Sequence, residues 1–192
     1  MNYLAHFYLS FENEGLIIGN YLADDYKGKS YLKLPEEIKK GVVLHRTIDD
    51  LTDKHALVLE AKNRLREDLG KFTGVALDVF FDHFLAKHWQ KFHQKPLNNY
   101  STDIYELLNK HKTYYSTLNK KKLYYMSTFD WLKSYAHITG VKIALNGLSK
   151  RTIQPNTLKS SHKVLKNHYD FIEDIFMEFF PDLEQEILYK NL

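Results

Sequence analysis

The sequence predicts an all-α fold, a compact single domain of about eight helices spanning residues 1–192, and three observations carry that expectation. Chain breakers are few, with 8 Gly and 4 Pro in 192 residues. Apolar residues recur at three- and four-residue spacing instead of alternating, which is the pattern of helices. A hydrophobic content of 44% over this length is enough for one substantial core and too little for two independent ones.

The elements follow in order. Residues 2–10 and 14–26 are expected to form the first two helices. Pro35 sits where a first helical residue is favoured, Glu36 and Glu37 follow in the first turn, and Ile38, Val42, Ile48 and Leu51 supply an apolar stripe, so a helix is expected from 35 to about 55. Another should cover 56–69. The run VALDVFFDHFLAKHW over 75–89 is so rich in large apolar side chains that it is expected to cross the core. Further helices are expected at 102–118, 122–137, 156–167 and 169–179. Segments 94–101 and 149–156 look like loops too short to link domains. With 14 Tyr and 12 Phe, large rings should carry much of the burial.

Composition excludes several chemistries. Without cysteine there is no disulfide framework, no thiolate zinc site and no cysteine nucleophile, so any metal must be held by His and carboxylate. The first residues lack the basic start and small-residue cleavage site of a secretory signal, and no run approaches the roughly 18 apolar residues of a membrane span. A cytoplasmic protein without a membrane association is expected. The net charge of +3 and the short run Lys120-Lys121-Lys122 do not make a nucleic-acid track, and that run, like the acid-rich stretch 170–186, is taken as a solvated face. Nothing in the pattern speaks to oligomeric state.

Chemistry-bearing residues cluster by helical spacing. His45, Asp49 and Asp53 stand at i, i+4 and i+8, along one face of their helix. Asp78 and Asp82 repeat that spacing, and His83 follows directly inside DVFFDHFL. Burying ionised carboxylates costs several kcal/mol each unless a metal ion or a cationic partner compensates. Asn20 and Asp24 share a face in GNYLADDYKGK, and His6, between Ala5 and Phe7, could point inward. Nitrogen and oxygen donors without sulfur suit zinc, manganese, iron or magnesium, with carboxylate-rich sites leaning to manganese or magnesium. Such an ion would acidify a bound water and clamp phosphoryl oxygens.

Plainer readings exist for each residue. Asp49 and Asp53 could pair with Arg46, Lys54 or Arg64 on a solvated surface. His137, His162 and His168 suit hydrogen-bonded core positions, while His88, His93 and His111 suit exposed ones. It is the convergence of a His-Asp-Asp face, an Asp-Asp-His cluster in apolar surroundings and an early Asp that favours metal binding. No GxSxG elbow is present, and GKS at 28–30 lacks the upstream glycine of a phosphate loop.

The segments MNYLAHFYLS, GNYLADDYKG, LPEEIKKGVVLHRTIDDLTDKH, RLR at 64–66, DVFFDHFLAKHW and, more weakly, NGLSKR at 146–151 resemble the acyl carrier protein phosphodiesterases in order and approximate spacing. The resemblance is dense through residue 89. It implies a divergent, HD-domain-like phosphohydrolase with a preference for Mn2+, Mg2+ or Fe2+ being possible substitutes. It also implies hydrolysis of the phosphodiester joining 4′-phosphopantetheine to a serine of holo acyl carrier protein, and so a place in fatty acid metabolism. The residues it points to are His6 and Asp24 as catalytic groups and His45, Asp49, Asp82 and His83 as metal ligands. Lys27, Arg46 and Arg151 are candidates for meeting phosphate or an acidic carrier protein. The chain has no contiguous His-Asp pair; Asp82-His83 stands in the reverse order. Two alternatives remain at this point: an HD-like phosphohydrolase of a nucleotide or other small phosphodiester, and a helical binding module whose acids and histidines form buried salt bridges.

Overall fold

The computed structural model describes residues 1–190, and among them the chain forms twelve α-helices and five short 3-10 turns, with no strand. The expected all-α class is what the structure shows. No helix among the described residues is long and apolar enough to cross a membrane.

Helix α1 (Tyr3–Tyr8) is only six residues long, yet Leu4 through Tyr8 are all buried. So short a helix cannot hold itself together by its own hydrogen bonds. Its free N–H groups are instead taken up by the Asp82 carboxylate, which accepts from the backbone of Asn2 (3.3 Å), Leu4 (2.8 Å) and Ala5 (3.2 Å). Helix α2 (Glu14–Leu22) starts at Asn13, whose side chain accepts from Leu16 N.

Helix α3 (Glu36–Lys54) packs against α2 backbone to backbone. A Cβ built on Gly19 would lie 2.2 Å from Ile38 O and 2.5 Å from Gly41 Cα, so no side chain fits there. Gly15 meets Glu37 and Gly19 meets Gly41, so the contacts advance along both helices together and the pair runs parallel. The crossover between them contains 3-10 turns at Ala23–Asp25 and Ser30–Lys33. This arrangement carries the end of α2, and Asp24 just after it, to the level of His45 and Asp49 on α3.

Helix α4 (Ala56–Leu69) leads into α5 (Thr73–Lys87), in which every residue from Val79 to Ala86 is buried, as its composition predicts. Its aromatic face stacks on α12 (Tyr169–Tyr189): Phe81 lies 5.4 Å from Phe179 and Phe84 lies 6.1 Å from Phe176, centroid to centroid. Helix α12 outruns the expected 169–179, continuing through Pro181 because Leu183 and Ile187 bury against the core and outweigh the missing N–H.

Between these lie α6 (Trp89–Phe92), α7 (Leu97–Lys110), α8 (Thr117–Thr128), α9 (Trp131–Ser134), α10 (Ile138–Arg151) and α11 (Ser161–Asn167). The expected helix 102–118 is really α7, starting behind Pro96. The expected helix 122–137 is two helices, broken where Asp130 takes a left-handed conformation at φ 41°. Helix α10 was not expected, and part of the loop assigned to 149–156 belongs to it. Of the six histidines given core or surface positions, His137 is exposed and the other five are half-buried.

Candidate active site

Four elements meet at one pocket. Helix α1 brings His6, the end of α2 brings Asn20 and Asp24, α3 brings His45 and Asp49, and α5 brings Asp78. The pocket has a volume of about 540 Å³, and its far wall is α10, through Gly140, Ile143, Ala144, Gly147, Leu148 and Arg151.

His6 and His45 stack with centroids 4.0 Å apart and planes 14° from parallel. The two oxygens of Asp49 face them: Oδ1 is 3.2 Å from His6 Nε2, and Oδ2 is 3.3 Å from His45 Nε2. Asp24 Oδ1 lies 3.6 Å from the same His45 nitrogen. One ligand atom each from His6, His45 and Asp49 lie within 4.8 Å of one another.

The tautomer of His6 follows from Asn20. The Asn20 amide nitrogen donates to His6 O (3.2 Å) and Ser10 Oγ (2.8 Å), so its Oδ1 must be the atom that faces His6 Nδ1 at 3.0 Å. Nδ1 therefore carries the proton and Nε2 presents a lone pair. That nitrogen is buried and has no hydrogen-bond partner, yet it points at an Asp49 oxygen, which is also an acceptor. Two acceptors at 3.2 Å repel unless a cation lies between or beside them. Burial, reinforced by His45, pushes the His6 pKa down to about 4, so at neutral pH the ring supplies no charge of its own, and the cation beside Asp49 Oδ1 is the Met1 amine at 3.6 Å. The donor set, two imidazoles and at least one carboxylate, fits a divalent ion.

Charge around the cluster is ordered. Burial alone would raise the Asp49 pKa, but the neighbouring His6 and His45 rings and the Met1 amine outweigh it and hold the carboxyl well below the usual range. Asp24 is also held low, mainly by the neighbouring His45. The amino group of Met1 is 2.9 Å from Asp78 Oδ1 and 3.6 Å from Asp49 Oδ1, which accounts for the expected Asp78 charge without a metal. Asp53 lines the pocket edge but is bound to Lys62 at 2.7 Å.

Other expected residues lie elsewhere. Asp82 is fully buried with both oxygens occupied by α1 N–H groups, so it supports His6 from beneath and does not face the pocket. His83 turns the other way: Nδ1 donates to Tyr135 O at 2.7 Å, and Nε2 accepts from the Tyr169 hydroxyl at 2.8 Å. The structure thus does not bring this pair to the cluster. Arg46 donates to Tyr26 O at 2.6 Å and stacks on Tyr31, which pins the crossover to α3, while Lys27 is exposed and away from the pocket lining. Arg151 alone of the three cations lines the pocket. Sequence reasoning left out Asn20 as a functional residue, Trp131 and the α10 wall apart from Arg151. Asn20 was visible only as a polar residue one turn before Asp24.

The chain, a helical bundle that gathers imidazoles and carboxylates at one pocket, falls by its relationships in the class of phosphoric diester hydrolases. More specifically, the chain belongs to the acyl carrier protein phosphodiesterase family, whose model matches residues 1–183. Similar proteins include those named acyl carrier protein phosphodiesterase from Yersinia pestis, Enterobacter sp. (strain 638) and Escherichia coli O45:K1 (strain S88 / ExPEC). Each is 30% identical over 193 residues, covering 100% of both chains. No solved structure matches.

Proposed function

We propose that this chain, acting as a single domain, carries out a divalent-metal-dependent hydrolysis of the phosphodiester between 4′-phosphopantetheine and a serine of holo acyl carrier protein, leaving the apo protein. The names of its relatives support the substrate. The observation that most directly supports the metal requirement is the unpartnered His6 Nε2 aimed at Asp49 beside the stacked His45.

In this reading His6, His45 and Asp49 hold the ion, with Asp24 within reach of the same position. For a mixed set of imidazole and carboxylate we take Mn2+ as the ion, with Mg2+ or Fe2+ as substitutes. When bound, the ion supplies positive charge to the phosphoryl oxygens and lowers the pKa of water at the site. Asn20 fixes the His6 ring, so His6 acts as a ligand and not as a proton donor. Asp24, two-thirds exposed and held ionised by His45, is placed to accept the proton of an attacking water. Arg151 offers charge to a phosphate entering at the pocket mouth. The small residues Gly140, Ala144 and Gly147 leave a lane along α10 for a narrow flexible arm, and Ile143 and Leu148 give it apolar contact.

Incubation of holo carrier protein with the purified protein and Mn2+ tests this. Release of phosphopantetheine that stops with chelator and with Asp49→Ala is expected. Release that survives both would remove the metal reading, and no release by fully metallated protein would move the substrate to a small phosphodiester.

A further inference from the structure

Charge is strongly segregated along the chain. Residues 110–169 hold twelve of the 27 Lys and Arg and a single acid, Asp130, whereas the remainder holds fifteen basic and 23 acidic residues. The net +3 thus hides a segment of +11 against a remainder of −8. Among the described residues none of those twelve cations lies in an ion pair, while Lys39, Lys54, Lys62, Lys87 and Lys95 elsewhere each do. Eleven of the twelve are exposed, Lys122 being the half-buried exception.

This segment also carries unusual apolar exposure. On α8, Leu118 is 78% exposed and Tyr125 is 40% exposed, and Phe129, just beyond its end, is 64% exposed. The positions 118, 121, 122, 125 and 129 fall on one side of the helix, so Lys121 and Lys122 stand among these side chains. On α10, Ile143 is 67% exposed and lines the pocket mouth.

Helix α10 lines that mouth, and α8 lies next to residues of the site. Lys122 lies over the rings of Tyr3 (5.2 Å) and Tyr21 (4.4 Å), and Tyr3 is part of the pocket wall, as is Arg151. The N-terminal turn of α8 is tied to Asp25, beside Asp24, by Asn119 at 2.5 Å and Ser116 at 3.3 Å. The basic and apolar face is therefore continuous with the site.

We infer that the exposed side of α8, extended by Ile143 and Lys150 on α10, is the docking surface for an acidic protein face that delivers the phosphodiester into the pocket. The inference rests on the function proposed above, which makes the occupant the carrier protein. Unpaired lysines steer and orient an acidic partner, and Leu118, Phe129 and Ile143 give apolar purchase for a helix. Aliphatic side chains such as Leu118 and Ile143 have no use against a nucleic-acid backbone, which makes a protein the favoured partner.

The test compares two substrates, holo carrier protein and bis(p-nitrophenyl) phosphate, which needs no docking. The variants are Lys121→Glu/Lys150→Glu and Leu118→Ser/Phe129→Ser, all at exposed positions outside the pocket chemistry. Each double variant should raise KM for the carrier protein by about tenfold or more, with kcat and turnover of the small diester unchanged. Added salt should bring the wild-type KM toward that of the charge-reversed variant. Wild-type kinetics on the carrier protein from both variants would overturn the inference, as would equal losses on both substrates. So would a loss confined to binding of a single-stranded oligonucleotide. If the wild-type protein hydrolyses the small diester but never the carrier protein, it is the proposed function that fails.

Discussion

His6 is the residue on which the site turns, and its chemistry is set by a neighbour. Asn20 spends both amide hydrogens on His6 O and Ser10 Oγ, and this leaves its oxygen for the ring and the ring's other nitrogen for the pocket. Asn20→Ala should therefore lower affinity for Mn2+ by about 10–100-fold without removing a ligand, as measured by calorimetric titration. His45 and Asp49 were legible in the sequence because i, i+4 spacing puts both on one face whatever else the chain does. Asp82 and His83 were misread for an instructive reason. An ionised group in DVFFDHFL does need compensation, but periodicity on one helix does not say which element covers that face. Here the cover is the start of α1, whose N–H groups supply what a metal was expected to supply.

At the scale of elements, α1 and the α2–α3 pair decide whether the site exists. Asp82→Ala leaves buried α1 donors unmet and should destabilise the fold by about 1–3 kcal/mol in denaturant unfolding, with metal affinity falling alongside as His6 loosens. Gly19→Ala forces a methyl group into Ile38 O and the Gly41 backbone and should cost about 1–3 kcal/mol or more. The α5–α12 contact carries a pH dependence of its own. Burial lowers the His83 pKa, opposed by the Tyr135 carbonyl, so the folded ring stays neutral where an unfolded one takes a proton. Its contribution is thus present above about pH 6.5 and is lost as pH falls through the lower folded value. Wild-type Tm should drop between about pH 7 and pH 5, and His83→Gln should flatten that drop. The long apolar helices were readable from spacing, whereas α10 was not. Its two glycines and mixed polar positions weaken the stripe of Val141, Leu145 and Leu148, although it is the element that walls the pocket.

Over the whole molecule, composition predicted the helical class correctly but concealed the charge distribution, because a total of +3 says nothing of how charges are partitioned. Twelve of the 27 Lys and Arg lie in one segment that holds a single acid, and its helix α10 walls the site while α8 lies beside it. An ion that binds only the folded chain stabilises it by mass action, so chelation should lower Tm and added Mn2+ should restore it. The measurement that tests the central claim most directly is calorimetric titration of Mn2+ into chelator-stripped wild type, His45→Ala and His83→Gln. The account predicts stoichiometric binding by wild type and His83→Gln and none by His45→Ala. Binding retained by His45→Ala and lost in His83→Gln would contradict it and return the ligand role to α5.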